Sequence, residues 1–401
     1  MPDYSVARRL SPNVVALGCV SLLTAVSSAM IHSLLPIYLV RVLGASITTL
    51  GFIEGAAEAA SALLKMFSGT LSDRLGRRKP LLVLGYALSA SVKALFPLAS
   101  SASTVLGARV AERLGKGLRD APRDAFLADI TPPEVRGAGF GLRLAMAFAG
   151  FVVGPLIATA LMRMSNDDYR LVFWVALVPA YFAVLLVLLA IKEEPGPRDA
   201  CPPVIRWTDI AALPPALWWT IAMAGLLSLA RFSPAFLVLK VHDIGVDAAY
   251  VPLCLMLMYL MYSLTAYPLG MLSDRFGRRT QLGIGTFVLV VADVLLASAN
   301  DAWWTAVGTM LWGLHLGLTQ GLMAAAIADA APDRFRGTAF GLYDVAIGAT
   351  AFAASVTAGL LWQAHGAHAA FGLGACIAAG ALVMLRLAGL PDRYGSRTTL
   401  P

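Results

Sequence analysis

The sequence predicts an all-α membrane protein, with twelve transmembrane helices in two repeated six-helix bundles around a central cavity. Three observations support this fold class. Of the 401 residues, 58% are hydrophobic and only 14% are charged, with a mean hydropathy of +0.74, whereas soluble domains carry about a quarter charged residues. Eleven apolar runs are long enough to cross a bilayer. The second half of the chain also repeats motifs of the first half.

The apolar runs are separated by short polar loops. Windows of about 20 residues place them near 13–40, 46–70, 80–100, 138–162, 169–191, 216–242, 248–272, 281–300, 303–328, 338–362 and 368–388. The first run follows Arg8 and Arg9, as in a signal peptide. It is far longer than the roughly 7–15 apolar residues of a cleaved signal, so we expect a retained helix.

An internal repeat supplies the twelfth span. GTLSDRLGRRKP at 69–80 returns as GMLSDRFGRRTQ at 270–281, an offset of about 200 residues. The same offset maps the apolar run at 303–328 onto 103–128, a segment rich in charge. Repeated membrane units commonly place a binding site at their interface, near the middle of the bilayer. We therefore expect 103–128 to span the membrane beside such a site.

The predicted halves are joined by a polar connection. The segment KEEPGPRDACPPVIRWTDIAALPP at 192–215 is rich in proline and charge, as loops are. The sequence thus predicts a first half over 1–191, a cytoplasmic linker over 192–215 and a second half over 216–401.

Basic residues form one stripe along the fourth span. Because a helix turns about 100° per residue, an arc of roughly 120° contains Arg109, Arg113, Lys116, Arg119 and Arg123. Each charge facing lipid near the bilayer centre would cost on the order of 3 kcal/mol. The stripe is therefore expected to face protein or a water-filled cavity. The alternative, an interfacial amphipathic helix, would break the even number of spans that the repeat requires.

The net charge of +7 does not indicate nucleic-acid binding, because the basic residues cluster in short loops between spans. The positive-inside rule explains such loops and places both termini in the cytoplasm. A phosphate-binding loop is not indicated, since Gly115, Lys116 and Gly117 lack the upstream glycine and the following Ser or Thr. The four cysteines show no metal or redox spacing. We expect no cofactor, no metal and no ATP-driven mechanism.

The loop after the second span, together with its copy, resembles the signature of the major facilitator superfamily. The residues that carry this resemblance are Gly69, Asp73, Arg74, Gly76, Arg77 and Arg78, with Asp274 and Arg275 in the second half. We expect Asp73 to accept hydrogen bonds from a helix N-terminus and the arginines to bridge to acids such as Asp129 or Glu134, closing a cytoplasmic gate. The alternative is that these arginines only set the topology.

Two weaker patterns agree with the resemblance. Arg113, Lys116 and Gly117 are similar to a fourth-span pattern of the superfamily in which glutamine precedes the glycine. A fifth-span pattern of antiporters is matched by Gly141, Gly150, Gly154 and Pro155, but Ala158 and Thr159 replace its final glycines. The resemblance implies a multi-pass transporter in a bacterial cytoplasmic (inner) membrane and suggests export.

The second span carries candidates for proton coupling. Glu54, Glu58 and Lys65 share one face of the helix, which must point inward. Glu58, near mid-span, is the first candidate for a carboxylate that loads and unloads a proton. The alternative is static pairing of Glu58 with Arg113 and of Glu54 with Arg109. Arg109 of the fourth span belongs to the same proton-coupling set. His32 is a weaker candidate, since a lone histidine is more often a packing residue.

Residues at similar depth predict a substrate site. The candidates are Arg113, Lys116, Arg231, Tyr259, Tyr262, His315 and Gln320. Arg231 has no acid nearby in its own span, and we expect only Glu58 and Glu112 to oppose the cations at this depth. Surplus positive charge favours an organic anion, because guanidinium groups bind carboxylate or phosphate in fork geometry. Asp344 and Arg143, near the cytoplasmic ends of their spans, are expected to pair at the gate.

The leading hypothesis is a monomeric, proton-coupled carrier of a small organic anion, working by alternating access in the lipid bilayer. The main alternative is an exporter that exchanges protons for lipophilic cationic or neutral drugs. A non-transporting receptor or a lipid translocator is a more remote alternative. An enzyme is disfavoured, because no nucleophile and base occur at a recognisable spacing.

Overall fold

The computed structural model describes residues 11–75, 77–132, 135–193, 213–332 and 336–387. All regular structure in these ranges is helical. The central part of the predicted linker, residues 194–212, lies outside them, as do both chain termini.

The first half contains six long helices: α1 (Pro12–His32), α2 (Ile47–Leu75), α3 (Lys79–Lys93), α4 (Ala102–Ile130), α5 (Arg136–Ser165) and α6 (Tyr169–Ala190). The first span continues beyond α1 through Leu35–Ile37 and the π-helical Tyr38–Val42, and α3 is followed by Leu95–Leu98. Side chains cap two helix starts. Ser101 accepts a hydrogen bond from the amide of Thr104, and Asp168 accepts from two amides at the start of α6.

The second half repeats this order with α7 (Pro215–Ala230), α8 (Leu253–Phe276), α9 (Arg278–Ser298), α10 (Ala302–Ala330), α11 (Arg336–His365) and α12 (Ala367–Leu387). A further short helix, Ala235–Asp243, extends the α7 span. Asp301 caps α10 by accepting from the amide of Trp304 at 2.9 Å, as Ser101 caps α4. The internal repeat therefore extends to how these two helices begin.

Ten of the described helices are long and apolar enough to cross a membrane. The remaining two long helices are α4, which carries the charged stripe, and α8, whose apolar part is the shorter Leu253–Ala266. Within the described ranges the fold is the predicted one, with twelve long helices in two six-helix halves.

The α7 span, predicted over 216–242, is broken near Pro234, one of the prolines that interrupt the predicted spans. α7 ends at Ala230, Arg231 is extended, and helix resumes at Ala235. Pro234 explains the break, because it has no N–H to donate to the carbonyl of Ala230 four residues earlier. The side-chain oxygen of Ser233 accepts a hydrogen bond from the amide of Ala235, the first residue of the new helix, at 3.2 Å.

The halves meet along two helix pairs, α2 with α11 and α5 with α8. Glycines allow the first pair to approach closely. A Cβ on Gly51 would collide with the backbone of Ser355, and a Cβ on Gly359 would lie 2.9 Å from the carbonyl oxygen of Ile47. Small residues of this kind let membrane helices pack backbone against backbone.

The halves are also tied together at one end. We call the end carrying the segments 69–80 and 270–281 the motif end, and the other the opposite end. At the opposite end Arg41 Nε donates to His242 Nε2 at 2.8 Å, and the amide of Ile47 donates to Gln363 at 3.0 Å. The Arg163 guanidinium lies 5.4 Å from the ring centre of Tyr250. These contacts close the opposite end.

Candidate functional site

A cavity of about 610 Å³ lies between the two halves. Its wall is formed mainly by α1, α2, α4, α5, α8, α10, α11 and the break in α7. On α4 the lining runs from Arg109 to Arg123 and omits the first turns, so the cavity extends toward the motif end.

Charged side chains crowd this wall. Among the described residues, the basic ones are Lys65, Arg109, Arg113, Lys116, Arg119, Arg123, Arg143 and Arg231. The acidic ones are Glu54, Glu58, Glu112, Asp120 and Asp344. With His32 neutral, eight basic groups face five acidic ones, and the wall carries a positive excess.

The stripe on α4 points into this cavity. All five of its basic side chains lie on the cavity wall, as the cost of exposing them to lipid requires. Besides Glu58 and Glu112, the acids expected at mid-depth, Glu54, Asp120 and Asp344 share the same wall. The cavity reaches further along the helices than a single mid-bilayer layer, and so includes acids from several depths.

Arg109 is the centre of a buried ion cluster. Its Nε and Nη2 donate to the two oxygens of Glu54, each at 2.9 Å, and its Nη1 donates to Glu112 at 2.9 Å. His32 contacts both Arg109 and Glu112, with 3.1 Å between its Nε2 and the carboxylate. Ser233, in the α7 break, donates to Glu54 at 3.0 Å. This cluster joins both halves and leaves Arg109 fully paired.

Arg113 and Glu58 form a more open pair. The Nη2 of Arg113 lies 2.8 Å from Glu58, whose side chain is 40% exposed, against 7% for Glu54. The Nε of Arg113 is buried and has no hydrogen-bond partner in the described part of the chain. Both static pairs that the sequence left open are therefore present, and the Glu58 pair is the one accessible from the cavity.

Arg119 is held without an acid. Its Nη1 donates to Ser89 at 2.6 Å and to the carbonyl of Gly85 at 3.3 Å, and its guanidinium lies 4.5 Å from the ring centre of Tyr86. These contacts attach α4 to α3 and account for one cation of the stripe. Lys116 lies among Arg113, Glu58 and Asp120.

Lys93 is a buried cation that the sequence analysis missed. It is 1% exposed, and its Nζ donates to Ser27 at 2.7 Å and to Ser28 at 2.9 Å, with Glu112 at 3.8 Å. A single lysine inside the apolar run 80–100 was the available signal.

Further ion pairs lie toward the motif end. Arg123 donates to Asp120 at 2.8 Å and to Asp124 at 3.0 Å, and Arg143 lies 3.8 Å from Asp124. Lys65 of α2 pairs with Asp344 of α11 at 2.9 Å, across the boundary between the halves. Asp344 thus makes the kind of pairing that its position predicted.

The second half contributes one arginine and several aromatic side chains. Arg231 lies near Tyr262 and Tyr343, and its Nη1 is buried without a partner among the described residues. Tyr259 stacks on Phe151 with 4.5 Å between ring centres. Tyr262 meets Phe148 edge to face at 4.7 Å, so these two tyrosines also join α8 to α5. Gln320 completes the predicted set on the wall.

His315 lies away from the cavity. It is fully buried, its Nδ1 is 2.7 Å from the carbonyl oxygen of Gly285, and it is absent from the residues that line the wall. This geometry is that of a packing histidine, and it gives no support to substrate contact.

Part of the predicted gate can be placed. Arg78 Nε lies 2.8 Å from Asp129, the acid expected to bridge to this loop. Gly69 faces Ala121 of α4, and Arg77 is exposed. Gly76 and Glu134 lie outside the described residues, as do four side chains of the gate prediction, those of Asp73, Arg74, Asp274 and Arg275.

Within the described ranges, no group of three or more His, Cys, Asp or Glu side chains is arranged to hold a metal ion. Cys19, Cys254 and Cys376 are free thiols.

Comparison with known proteins identifies the family. The model of the Major Facilitator Superfamily matches residues 17–251 and 227–400. The chain belongs to the major facilitator superfamily. An uncharacterised MFS-type transporter of Methanocaldococcus jannaschii is 32% identical over 362 residues, which are 89% of this chain and 90% of that one. The superfamily model and this relative describe transporters, and this chain is a membrane transporter of the MFS type.

Two further comparisons are narrower. The multidrug resistance protein MdtH of Photorhabdus laumondii subsp. laumondii is 32% identical over 154 residues, 38% of this chain and 37% of MdtH. The crystal structure of a mutant of the nucleoside transporter NupG superposes with a TM-score of 0.80 at 11% identity, covering 94% of this chain and 99% of that one. The latter match shows a shared MFS fold.

Proposed function

We propose that this protein is a proton-coupled secondary active transporter of a small organic anion, working by alternating access. One observation carries the proposal. Arg113 of the first half and Arg231 of the second half line the same cavity, and each keeps a buried guanidinium nitrogen without a partner among the described residues. A buried unpaired donor is costly, and an anion between the two halves would satisfy both.

The charge of the cavity supports an anionic cargo. Eight basic and five acidic side chains line the described wall, and Arg231 has no acid among its charged neighbours. The low-dielectric walls of a protein cavity focus the electric field of its charges. A positive excess therefore raises the local concentration of anions. Planar guanidinium groups select carboxylate or phosphate by paired hydrogen bonds.

Glu58 is the proposed coupling group. It already occupies one face of Arg113, so an incoming anion competes with it for the guanidinium. Once displaced, a carboxylate in a cavity of low dielectric without its cation favours the protonated form. The anion therefore binds to Arg113 as Glu58 takes a proton from water, and both cross together.

Alternating access requires exchange between two sets of contacts. The opposite end is closed by pairs such as Arg41 with His242, while the motif end holds the pair of Lys65 with Asp344. In the reverse state the first set must break. The shared wall then faces the other side of the membrane without a change in its residues.

We further propose that the protein is a monomer in a bacterial cytoplasmic membrane, with 192–215 as a cytoplasmic linker and both termini inside. Arg77, Arg78 and Lys79 at the motif end support this orientation by the positive-inside rule. A reporter fused after Pro401 that is active only outside the cytoplasm will be inactive if this orientation is right.

A panel of small solutes tests the proposed cargo. Matched organic anions, cations and neutral compounds are added to the purified protein, and the unfolding temperature is measured. Some anions are expected to raise it, because ligand binding stabilises the folded state. Arg113→Ala and Arg231→Ala should lose this shift, while Arg386→Ala, which removes an exposed arginine outside the cavity, should keep it. Stabilisation by cations alone would contradict the proposal.

A second candidate is an exporter that exchanges protons for lipophilic cationic or neutral drugs. The partial similarity to MdtH and the glycines of the fifth span favour it. In the structure Gly150 and Gly154 allow α5 to pack on the backbone of α1, near Leu22 and Val26. Glu54 and Glu58, its required cation sites, are both paired with arginines. The same panel separates the two functions.

A further inference from the structure

Asp293, in α9, is a buried acid outside the central cavity. Its side chain is fully buried, and neither carboxylate oxygen has a hydrogen-bond partner in the part of the chain that the structure describes. It is also absent from the cavity wall, and the coupling scheme above does not use it. An ionised carboxylate is very costly in such a place unless it is paired, so burial favours the neutral acid.

The immediate neighbours of Asp293 come from three helices. The indole N–H of Trp312 in α10 lies beside the carboxylate and interacts with it, although the two groups do not form a hydrogen bond of good geometry. Gly374 of α12 faces the same group. A Cβ placed on Gly374 would lie 2.8 Å from Asp293 Oδ2 and 3.1 Å from the carbonyl oxygen of Ala230, at the end of α7. Two oxygens therefore converge on the space that this glycine leaves open.

The carbonyl of Ala230 needs a donor. In a continuous helix it would accept from the residue four positions later, but that residue is Pro234, which has no N–H. An ionised Asp293 would place a second acceptor near this carbonyl and repel it. A protonated Asp293 has an O–H that it can donate to an acceptor on this side of the helix, and the Ala230 carbonyl is such an acceptor.

The other titratable groups on the surrounding helices are engaged elsewhere or lie apart. His315 of α10 is bonded to Gly285, and Arg231 lies among Tyr262 and Tyr343. The described titratable side chains of α12 are His368, Cys376 and Arg386. Tyr259 of α8 faces the cavity. None of them forms a hydrogen bond or ion pair with Asp293 within the described ranges, so no cation compensates it.

The internal repeat places this acid opposite a compensated cation. With the offset of 200 residues, Asp293 corresponds to Lys93, and Trp312 corresponds to Glu112. Lys93 is compensated by two serines and by Glu112. Both halves thus bury an ionisable group at the same place. Within the described ranges, Lys93 is surrounded by compensating partners, whereas Asp293 has no matching set.

We propose that Asp293 is a second proton-binding site. The proton comes from water in the central cavity, past Trp312, whose side chain lines the wall. When Asp293 is protonated, its O–H donates a hydrogen bond to the carbonyl oxygen of Ala230. This hydrogen bond holds the α7 break against α9 and α12. Loss of the proton loosens this packing. The site requires neither the anionic substrate nor Glu58, so it stands if the proposed function fails.

Infrared spectroscopy of the purified full-length protein, recorded while the pH is raised, tests this site. The C=O stretch of a protonated carboxylic acid is expected at neutral pH and should disappear at high pH. Asp293→Asn should lack that band, while Glu58→Gln, which removes the other candidate acid, should retain it. A band that persists in Asp293→Asn, or no titrating band in the wild type, would overturn the proposal. So would displacement of the band by Na⁺ at constant pH, which would indicate a sodium site.

A pair of glycine variants gives an independent readout. Gly374→Ala would press a methyl group against both the acid and the Ala230 carbonyl, whereas a Cβ on Gly372 meets nothing within 4 Å. The midpoint of the infrared titration should move to lower pH in Gly374→Ala, because the protonated form loses its acceptor. It should stay unchanged in Gly372→Ala. Equal midpoints in the two variants would contradict the proposal, even if Asp293→Asn failed to fold.

Discussion

Lys65 of α2 pairs with Asp344 of α11 at 2.9 Å, and this contact links the two halves of the transporter near the motif end. The two side chains are 39% and 19% exposed. The pair sits on the cavity wall, where separation of the halves at this end would break it. It is therefore a good place to change the balance between conformations without disturbing the fold.

Asp344→Asn is expected to open the motif end more often. A partly exposed pair contributes about 0–1 kcal/mol, so the unfolding temperature should change little. A cysteine introduced at Ser61, on the cavity wall, should react several-fold faster with a water-soluble maleimide. The charge-reversed double variant Lys65→Asp with Asp344→Lys serves as the control and should restore the wild-type rate. No change of rate in Asp344→Asn would show that the pair does not restrain the motif end.

Glu54→Gln should destabilise the fold strongly. It removes the bidentate partner of a buried guanidinium, and breaking one side of a buried ion pair costs about 3–5 kcal/mol. Glu58→Gln is the matched control. Removing the more exposed Glu58 pair should lower the free energy of unfolding by about 1 kcal/mol or less. Thermal unfolding of both variants measures the difference. Equal losses would contradict the distinction between a structural Glu54 and an accessible Glu58.

Gly51→Ala should weaken closure of the opposite end. The added methyl would meet the backbone of Ser355 on α11, where helices from the two halves touch. Labelling of cysteines introduced at the opposite end should therefore increase. Gly107→Ala in α4 is the control, since its Cβ would meet nothing within 4 Å and alanine favours a helix by up to about 1 kcal/mol. Comparable labelling in the two variants would refute the role of Gly51.

Glu58→Gln should also separate transport from the proton gradient. The amide keeps the size of the side chain but cannot exchange a proton. Proteoliposomes containing the variant should still exchange an anion selected from the panel across the membrane, yet fail to accumulate it when a pH gradient is imposed. The wild type and Arg386→Ala should accumulate it. Accumulation by Glu58→Gln would show that Glu58 does not carry the coupled proton.

Much of the fold follows from the sequence because its determinants are periodic. Apolar runs set the spans, the repeat assigns the charged segment to α4, and the cost of exposing Arg109 to Arg123 to lipid directs them inward. The break after Ala230 was harder to predict, since proline is often tolerated within membrane helices. Pro155 and Pro268 remain inside continuous helices in this same chain.

Pairing within the site was less predictable than its location. The pair of Arg109 with Glu54 was one of two alternatives, whereas the contacts of Arg109 with Glu112 and of Arg119 with Ser89 were not foreseen, because periodicity carries no information on such distances. Lys93 and Asp293 are each a single charge in an apolar run. The sequence therefore marks them as unusual but does not identify their partners. His315 has the same kind of signal and is a packing residue, so depth alone does not identify a binding residue.

Proton uptake on anion binding tests the central claim most directly. Calorimetric titration of the purified protein with a panel anion, in buffers of different ionisation enthalpy, gives the number of protons taken up for each anion bound. The wild type should take up about one proton, because the anion displaces Glu58 from Arg113 and the freed carboxylate becomes protonated. Glu58→Gln should bind the anion with almost no uptake. Anion binding by the wild type without proton uptake, or no anion binding at all, would contradict the account.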